Sequence, residues 1–195
     1  KAQQEKDRKN KAASNAKAAS NAQTLSDSKK ETPASNEPSS LYQSPKLRAS
    51  SQKRSHELSV NIKGLSQIQL HVSDLGAKDH DWANWINPTF IGADGKSTPV
   101  EKKHIARATQ AWGSLKYNLN VDNKALTVDG KKYETGLGTH ATSTIILNVP
   151  DGSITFTALA GLDDSSALRN GKPTSASVRF SVHKPGPITH PIETE

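Results

Sequence analysis

Downstream of His56 the chain alternates apolar and polar residues in short runs, the period-2 signature of half-buried strands. Leu58 to Ile62 and Ile68 to Val72 are the first two runs, with Lys63-Gly64 marking the turn between them. Thr89 to Ile91 is a shorter run closed by Asp94-Gly95, and Leu126 to Val128, Thr144 to Val149, Ile154 to Ala160 and Ser177 to His183 follow. Ile105-Ala-Arg-Ala-Thr fits either a strand or one helical turn, and Asp74 to Asn87 reads as a polar loop carrying two tryptophans. The sharpest local signal is Asp129-Gly130, because tight hairpin turns need the positive φ that Gly and Asp tolerate. Gly136 and Gly138 are expected to turn the backbone sharply just before His140. About eight short strands without a long amphipathic helix predict an all-β chain, an antiparallel β-sandwich or jelly roll.

The alternation stops upstream of His56. The hexapeptide Lys-Ala-Ala-Ser-Asn-Ala occurs in tandem at 11–16 and 17–22, followed by a Ser-rich stretch with Pro33, Pro38 and Pro45. Helix formers without an apolar stripe make a marginal helix at best, and proline among serines makes a linker. The expected organisation is a low-complexity tether over residues 1–55 and one β-domain over 56–195.

Charge sharpens that division. Residues 1–55 hold 12 Lys/Arg against 5 Asp/Glu, which accounts for the whole formal charge of +7, while the rest is balanced. Net electrostatics therefore argue against a nucleic-acid or membrane surface on the β-domain, leaving only a basic arm that lacks stacking aromatics. No apolar run approaches the ~20 residues that span a bilayer. The absence of Cys rules out disulfides, thiolate metal sites and Cys nucleophiles. Without Met at position 1, the chain reads as a processed product or a segment of something longer.

Catalytic constellations are missing. The His residues show no zinc spacing, and there is no nucleophile elbow, P-loop or dinucleotide fingerprint. Asp163-Asp164 would point to opposite faces of a strand, a poor acid–base pair, and is expected to tie the strand end to loop amides or to Arg169. Asp74, Asp79 and Asp81 lie in one loop and could offer hard oxygens to calcium, although Asp-rich turns are commonly just solvated.

Tryptophan placement points elsewhere. Sugar rings stack their C–H faces on flat aromatics while neighbouring polar groups bond the hydroxyls. Trp112 has Arg107, Gln110, Tyr117, Asn118 and Asn120 around it in sequence, and Trp82 sits in the Asp-rich loop. The competing expectation is that tryptophans plug the sandwich, which a domain poor in aromatics needs; Trp82 and Trp85 lean that way. His140 is expected to be buried and to fix its loop, with a ligand contact as the alternative.

Thr127-Val-Asp-Gly-Lys-Lys-Tyr-Glu-Thr-Gly-Leu-Gly-Thr-His-Ala-Thr-Ser-Thr-Ile145, with Phe156-Thr-Ala-Leu-Ala-Gly-Leu-Asp-Asp164 after it, resembles the NPCBM family of carbohydrate-binding modules. The similarity extends to Asp79-His-Asp-Trp-Ala-Asn-Trp85, Ala108-Thr-Gln-Ala-Trp-Gly-Ser114 and Ser177-Val-Arg-Phe-Ser-Val182, and leaves the first fifty-odd residues without a counterpart. The resemblance implies a galactose-binding-like β-sandwich, galactose-like or other glycan ligands, and a catalytic domain, a glycoside hydrolase or sulfatase, elsewhere in a parent chain. It implies a secreted, periplasmic or envelope-associated setting, and it strengthens the expectation of a structural calcium. The resulting expectation is a non-catalytic module that targets its parent to glycans. The alternative is a structural or protein-interaction sandwich that binds no sugar.

Overall fold

Alternation along the chain becomes two facing antiparallel sheets in the computed structural model, which describes residues 39–76 and 79–186. The tandem repeat and the rest of the tract up to residue 38 lie outside the described residues, as does everything after Gly186. Sheet A runs β1 (Ser40–Gln43), β16 (Ser177–His183), β4 (Gln67–Asp74), β12 (Ser143–Asn148) and β7 (Ile105–Gln110), with β2 (Leu47–Arg48) beside β16. Sheet B runs β3 (Ser55–Asn61), β13 (Ser153–Leu162), β5 (Trp82–Gly92), β11 (Gly136–His140) and β8 (Lys116–Tyr117), with β6 (Ser97–Pro99) beside β5. Consecutive strands cross between the layers, β3 to β4 to β5 and again β11 to β12 to β13, as in jelly rolls. Lys63-Gly64 thus turns the chain from one sheet to the other.

The inward residues of each strand make one core. Leu70, Val72, Ile145, Leu147 and Phe180 from sheet A meet Trp85, Phe90, Leu137 and Phe156 from sheet B. The Trp85 ring stands edge-on to Phe180 at 4.9 Å between centroids, a favourable quadrupole geometry. Sheet B has a second apolar patch on its outer side, where Ile86 packs with Leu126 and Val128. Those two come from the hairpin β9 (Leu126–Val128) and β10 (Lys131–Tyr133). Val128 pairs with Lys131 across Asp129-Gly130, whose φ of 51° and 76° are those of the expected two-residue turn. A single helical turn, α1 (Asp164–Ala167), and a small hairpin, β14 (Leu168–Arg169) and β15 (Lys172–Pro173), complete the described elements.

Three expectations need correcting, and one open choice is resolved. The domain does not begin at His56: β1 and β2 pair with β16, Ala49 N–H donates to Ala176 O, and Leu47 and Ala49 are buried. Edge pairing through the backbone leaves no alternation to read in a Ser/Pro-rich tract. Trp82 to Asn87 belongs to strand β5 and not to a loop, because two flanking strands satisfy its backbone. Ile105 to Thr109 lies in strand β7, with the helical geometry confined to a 3-10 turn at Lys102–His104. Gly136 and Gly138 do not turn the chain at all. Both sit inside β11, fully buried, and serve another purpose.

Candidate functional site

Segment 119–128 lies across the outer side of sheet B, and three glycines make that possible. A Cβ on Gly138 would run into Leu119 O and come within 2.6 Å of Asn120 Cα. One on Gly136 would meet Trp85 O at 2.7 Å and Leu126 Cδ1 at 2.9 Å, and one on Gly161 would meet Val128 Cγ1 at 2.5 Å. The glycines of the Gly-Leu-Gly motif are therefore needed for close approach of a second layer of backbone.

Asp163 fastens that layer. Fully buried, it accepts from Asn84 Nδ2 at 2.7 Å, Asn120 Nδ2 at 3.2 Å, Thr127 N at 3.3 Å and Ser165 N at 2.9 Å. Four donors to one carboxylate answer the desolvation that a buried charge incurs. Asn120 in turn accepts from the backbone N–H groups of Asp122 and Lys124, closing the loop on itself. The neighbouring Asp164 pairs with Arg54 at 2.8 Å and accepts from Gly130 N, so of the two expected ties the loop amides are made, and the cation is Arg54 in place of Arg169. Both carboxylates hold structure.

At the end of this layer three ring-bearing side chains follow one another. Trp82 of β5 and His140 of β11 are directly opposite in the ladder, so they share a face of sheet B. Trp112 lies over His140 with 5.8 Å between ring centroids. Their exposures separate their roles: Trp112 is 55% exposed, Trp82 half-buried and His140 only 8% exposed. His140 Nδ1 bonds Ala141 O, which orients the ring as a base for the indole. Gln110 Nε2 donates to Trp112 O while its Oε1 accepts from Thr139 Oγ1, and Ala111 N–H donates to Thr142 O. The turn is thus fixed by β7, β11 and the segment leading into β12. The result is an exposed indole on a hydrogen-bonded turn, tilted at 60° to the His140 ring beneath it.

Other residues singled out from sequence go elsewhere. Arg107 is opposite Ile146 on the outer side of sheet A. Tyr117 donates to Val100 O at 3.3 Å and lines a separate cleft of about 480 Å³ with Lys102, Lys116 and Leu119, the Lys102 ammonium standing 5.6 Å from its ring centroid. Asn118 adopts a positive φ of 61° and accepts from Gly136 N, a loop-fixing role. Proximity in sequence to Trp112 could not separate these, because the chain reverses twice within ten residues.

Asp74, Asp79 and Asp81 do not form the expected ligand set. No group of three acidic, His or Cys side chains suited to a metal occurs among the described residues. Asp74 accepts from Thr142 Oγ1, and Asp81 is wholly buried with Oδ1 on Ser177 N at 2.7 Å. Asp81 Oδ2 has no partner among the described residues. Burial pushes the Asp81 carboxyl up to about 6, the Ser177 N–H opposes this, and the charges of Asp74 and Asp79 add to it. The hub at Asp163 and the clamp at Arg54 carried no signal in sequence beyond the Asp pair itself.

The NPCBM/NEW2 domain family model matches residues 16–91 and 96–187, reaching back well into the tract expected to lack a counterpart. The chain is 37% identical over 83 residues to alpha-1,3-galactosidase B of Akkermansia muciniphila, a match spanning 43% of this chain and 10% of that enzyme. No solved structure matches the chain.

Proposed function

Because the chain belongs to the NPCBM/NEW2 domain family, we propose that it is a non-catalytic carbohydrate-binding module whose ligand stacks on Trp112. The single observation that carries this reading is the exposed Trp112 face braced on buried His140. An indole held in place from behind loses little freedom when a sugar ring covers it, so most of the contact energy appears as affinity. Gln110 and the exposed Thr142 supply polar groups beside the apolar plate. A tryptophan needed only for packing would be sequestered as Trp85 is, which favours sugar binding over the purely structural sandwich.

Galactosides are the first ligands to try, given the name of the enzyme that shares 83 residues with this chain. In a parent protein, secreted or envelope-bound, such a module would raise the local concentration of a catalytic domain on its polymer. A structural calcium enters this reading on one oxygen only, Asp81 Oδ2, and a melting temperature indifferent to excess calcium and to chelator rejects it.

A glycan array probed with the wild-type chain and with Trp112→Ala is the test. The expected result is retention of galactose-terminated glycans, weakened about tenfold by the substitution. No retention across galactosides, fucosides and sulfated polymers, or equal retention by the variant, removes the proposal.

A further inference from the structure

A cavity of about 440 Å³ opens between the turn that leads into β5 and the β14–β15 hairpin, walled by His80, Arg169, Lys172, Thr174 and Ser175. Its chemistry is one-sided. Arg169 and Lys172 are directly opposite in the two-strand ladder, held there by the turn at Asn170 and Gly171 with φ of 51° and 74°. Like charges so placed repel, and neither has an ion-pair partner among the described residues. Among the described residues no carboxylate lines the cavity. Asp79 and Asp81 flank His80 along the chain: Asp79 is exposed and not part of the lining, and Asp81 is buried and faces Ser177 N–H.

The walls are anchored from behind. Thr174 donates its N–H to Ala167 O and its hydroxyl to Ser166 O, which fixes the return from β15. His80 is held at φ 70° with its carbonyl accepting from Trp82 N, and its Nδ1 has no partner among the described residues. The guanidinium of Arg169 and the ammonium of Lys172 therefore border, with His80, a space that holds no acceptor of opposite charge among the described residues.

We infer that this cavity is an anion subsite that takes a sulfate ester or a uronate carboxylate carried on a glycan. It adjoins the start of β5, where Trp82 opens the aromatic row. The glycan part of the inference rests on the reading of the Trp112 face, while the anion part stands on the cavity alone. A planar guanidinium fork beside a compact ammonium suits a tetrahedral or carboxylate oxyanion better than a neutral hydroxyl, because the bonds to an anion are charge-assisted at both ends.

The test uses the full chain, because the basic N-terminal residues are then the same in every sample. Inorganic sulfate is titrated at constant ionic strength while the histidine ring resonances are followed by NMR. Binding of a sulfated galactan, an oligogalacturonate and a neutral galactan is then measured by calorimetry. Arg169→Ala/Lys172→Ala removes the subsite cations, and Lys131→Ala/Lys132→Ala removes the same charge from exposed β10 as a control.

Sulfate is expected to shift the His80 ring in the wild type and in the control. An acidic oligosaccharide should bind about tenfold more tightly than the neutral one, an advantage lost only in the Arg169/Lys172 variant. Preference for the sulfated or for the carboxylated polymer identifies the source of the anion. Equal losses in the two double variants, or no discrimination between acidic and neutral ligands by a protein that binds both, overturns the inference. If no glycan binds but sulfate still moves His80 in a manner abolished by Arg169→Ala/Lys172→Ala, the anion site stands and the Trp112 reading falls. If sulfate moves nothing, the anion site falls, whatever the neutral glycan does.

Discussion

Asp81→Asn isolates the electrostatic cost of the buried end of the sandwich. The carboxyl sits at about 6 in the fold against an ordinary value of 3.8. A folded value raised above the unfolded one means that the native state holds the proton more tightly. Stability is therefore highest below about pH 4, falls as pH rises through the window to about 6, and stays reduced above it. At 1.36 kcal/mol per pH unit the full penalty has a ceiling of about 3 kcal/mol, and relaxation of the surroundings about the ionised group brings this to about 1.5 kcal/mol. Asn keeps the acceptor for Ser177 N–H but never ionises. Urea unfolding followed by tryptophan fluorescence, with chelator present, gives the stability gap between variant and wild type at each pH. The gap should shift by about 1.5 kcal/mol in favour of the variant between about pH 4 and pH 7.5, and any fixed cost of the new amide cancels in that difference. A gap independent of pH, or one moving against the variant as pH rises, refutes the burial argument. Restoration of the wild type by excess calcium at neutral pH, without effect on the variant, would instead identify Asp81 as a cation ligand.

Gly138→Ala forces a methyl into Leu119 O and Asn120 Cα; the cost should be about 1–3 kcal/mol in the same assay, with greater exposure of segment 119–128 to proteolysis. Asp163→Ala strands the donors of Asn84, Asn120, Thr127 and Ser165 and should cost about 3 kcal/mol or more, whereas a loss below about 1 kcal/mol would mean that the hub is dispensable. Trp85→Ala, deep against Phe180, should lower stability by about 3–5 kcal/mol, while Trp112→Ala should change it by no more than about 0.5 kcal/mol. Similar melting temperatures for those two variants would contradict the division between a core indole and a displayed one.

Much of the architecture was legible in the order of residues. Period-2 alternation located β3, β4, β12, β13 and β16, because a strand with one face buried must repeat every second residue. Asp129-Gly130 announced its hairpin, since a two-residue turn is settled by local φ alone. Trp112 and His140 were also found as candidates, one as an indole at a loop beside Gly113 and the other after Gly138-Thr139 and ahead of an apolar strand. Where sequence reading failed, the missing information was long-range. β1 and β2 are ordered by hydrogen bonds to β16 more than a hundred residues away, so nothing local distinguishes them from linker.

The sequence alone thus determined the class of fold, the hairpin turn and the glycine motif, all of which depend on neighbours along the chain. Only the tertiary structure decided what the motif is for: Gly136 and Gly138 admit a layer of backbone arriving from residues 119 to 126. It also decided that Trp112 meets His140 while Tyr117, Arg107 and Asn118 part from them, and that Asp81 lies buried with one oxygen on Ser177 N. Pairing and burial are properties of space. Residues five apart can serve separate clefts, as Trp112 and Tyr117 do, and residues twenty-eight apart can form a single ledge, as Trp112 and His140 do.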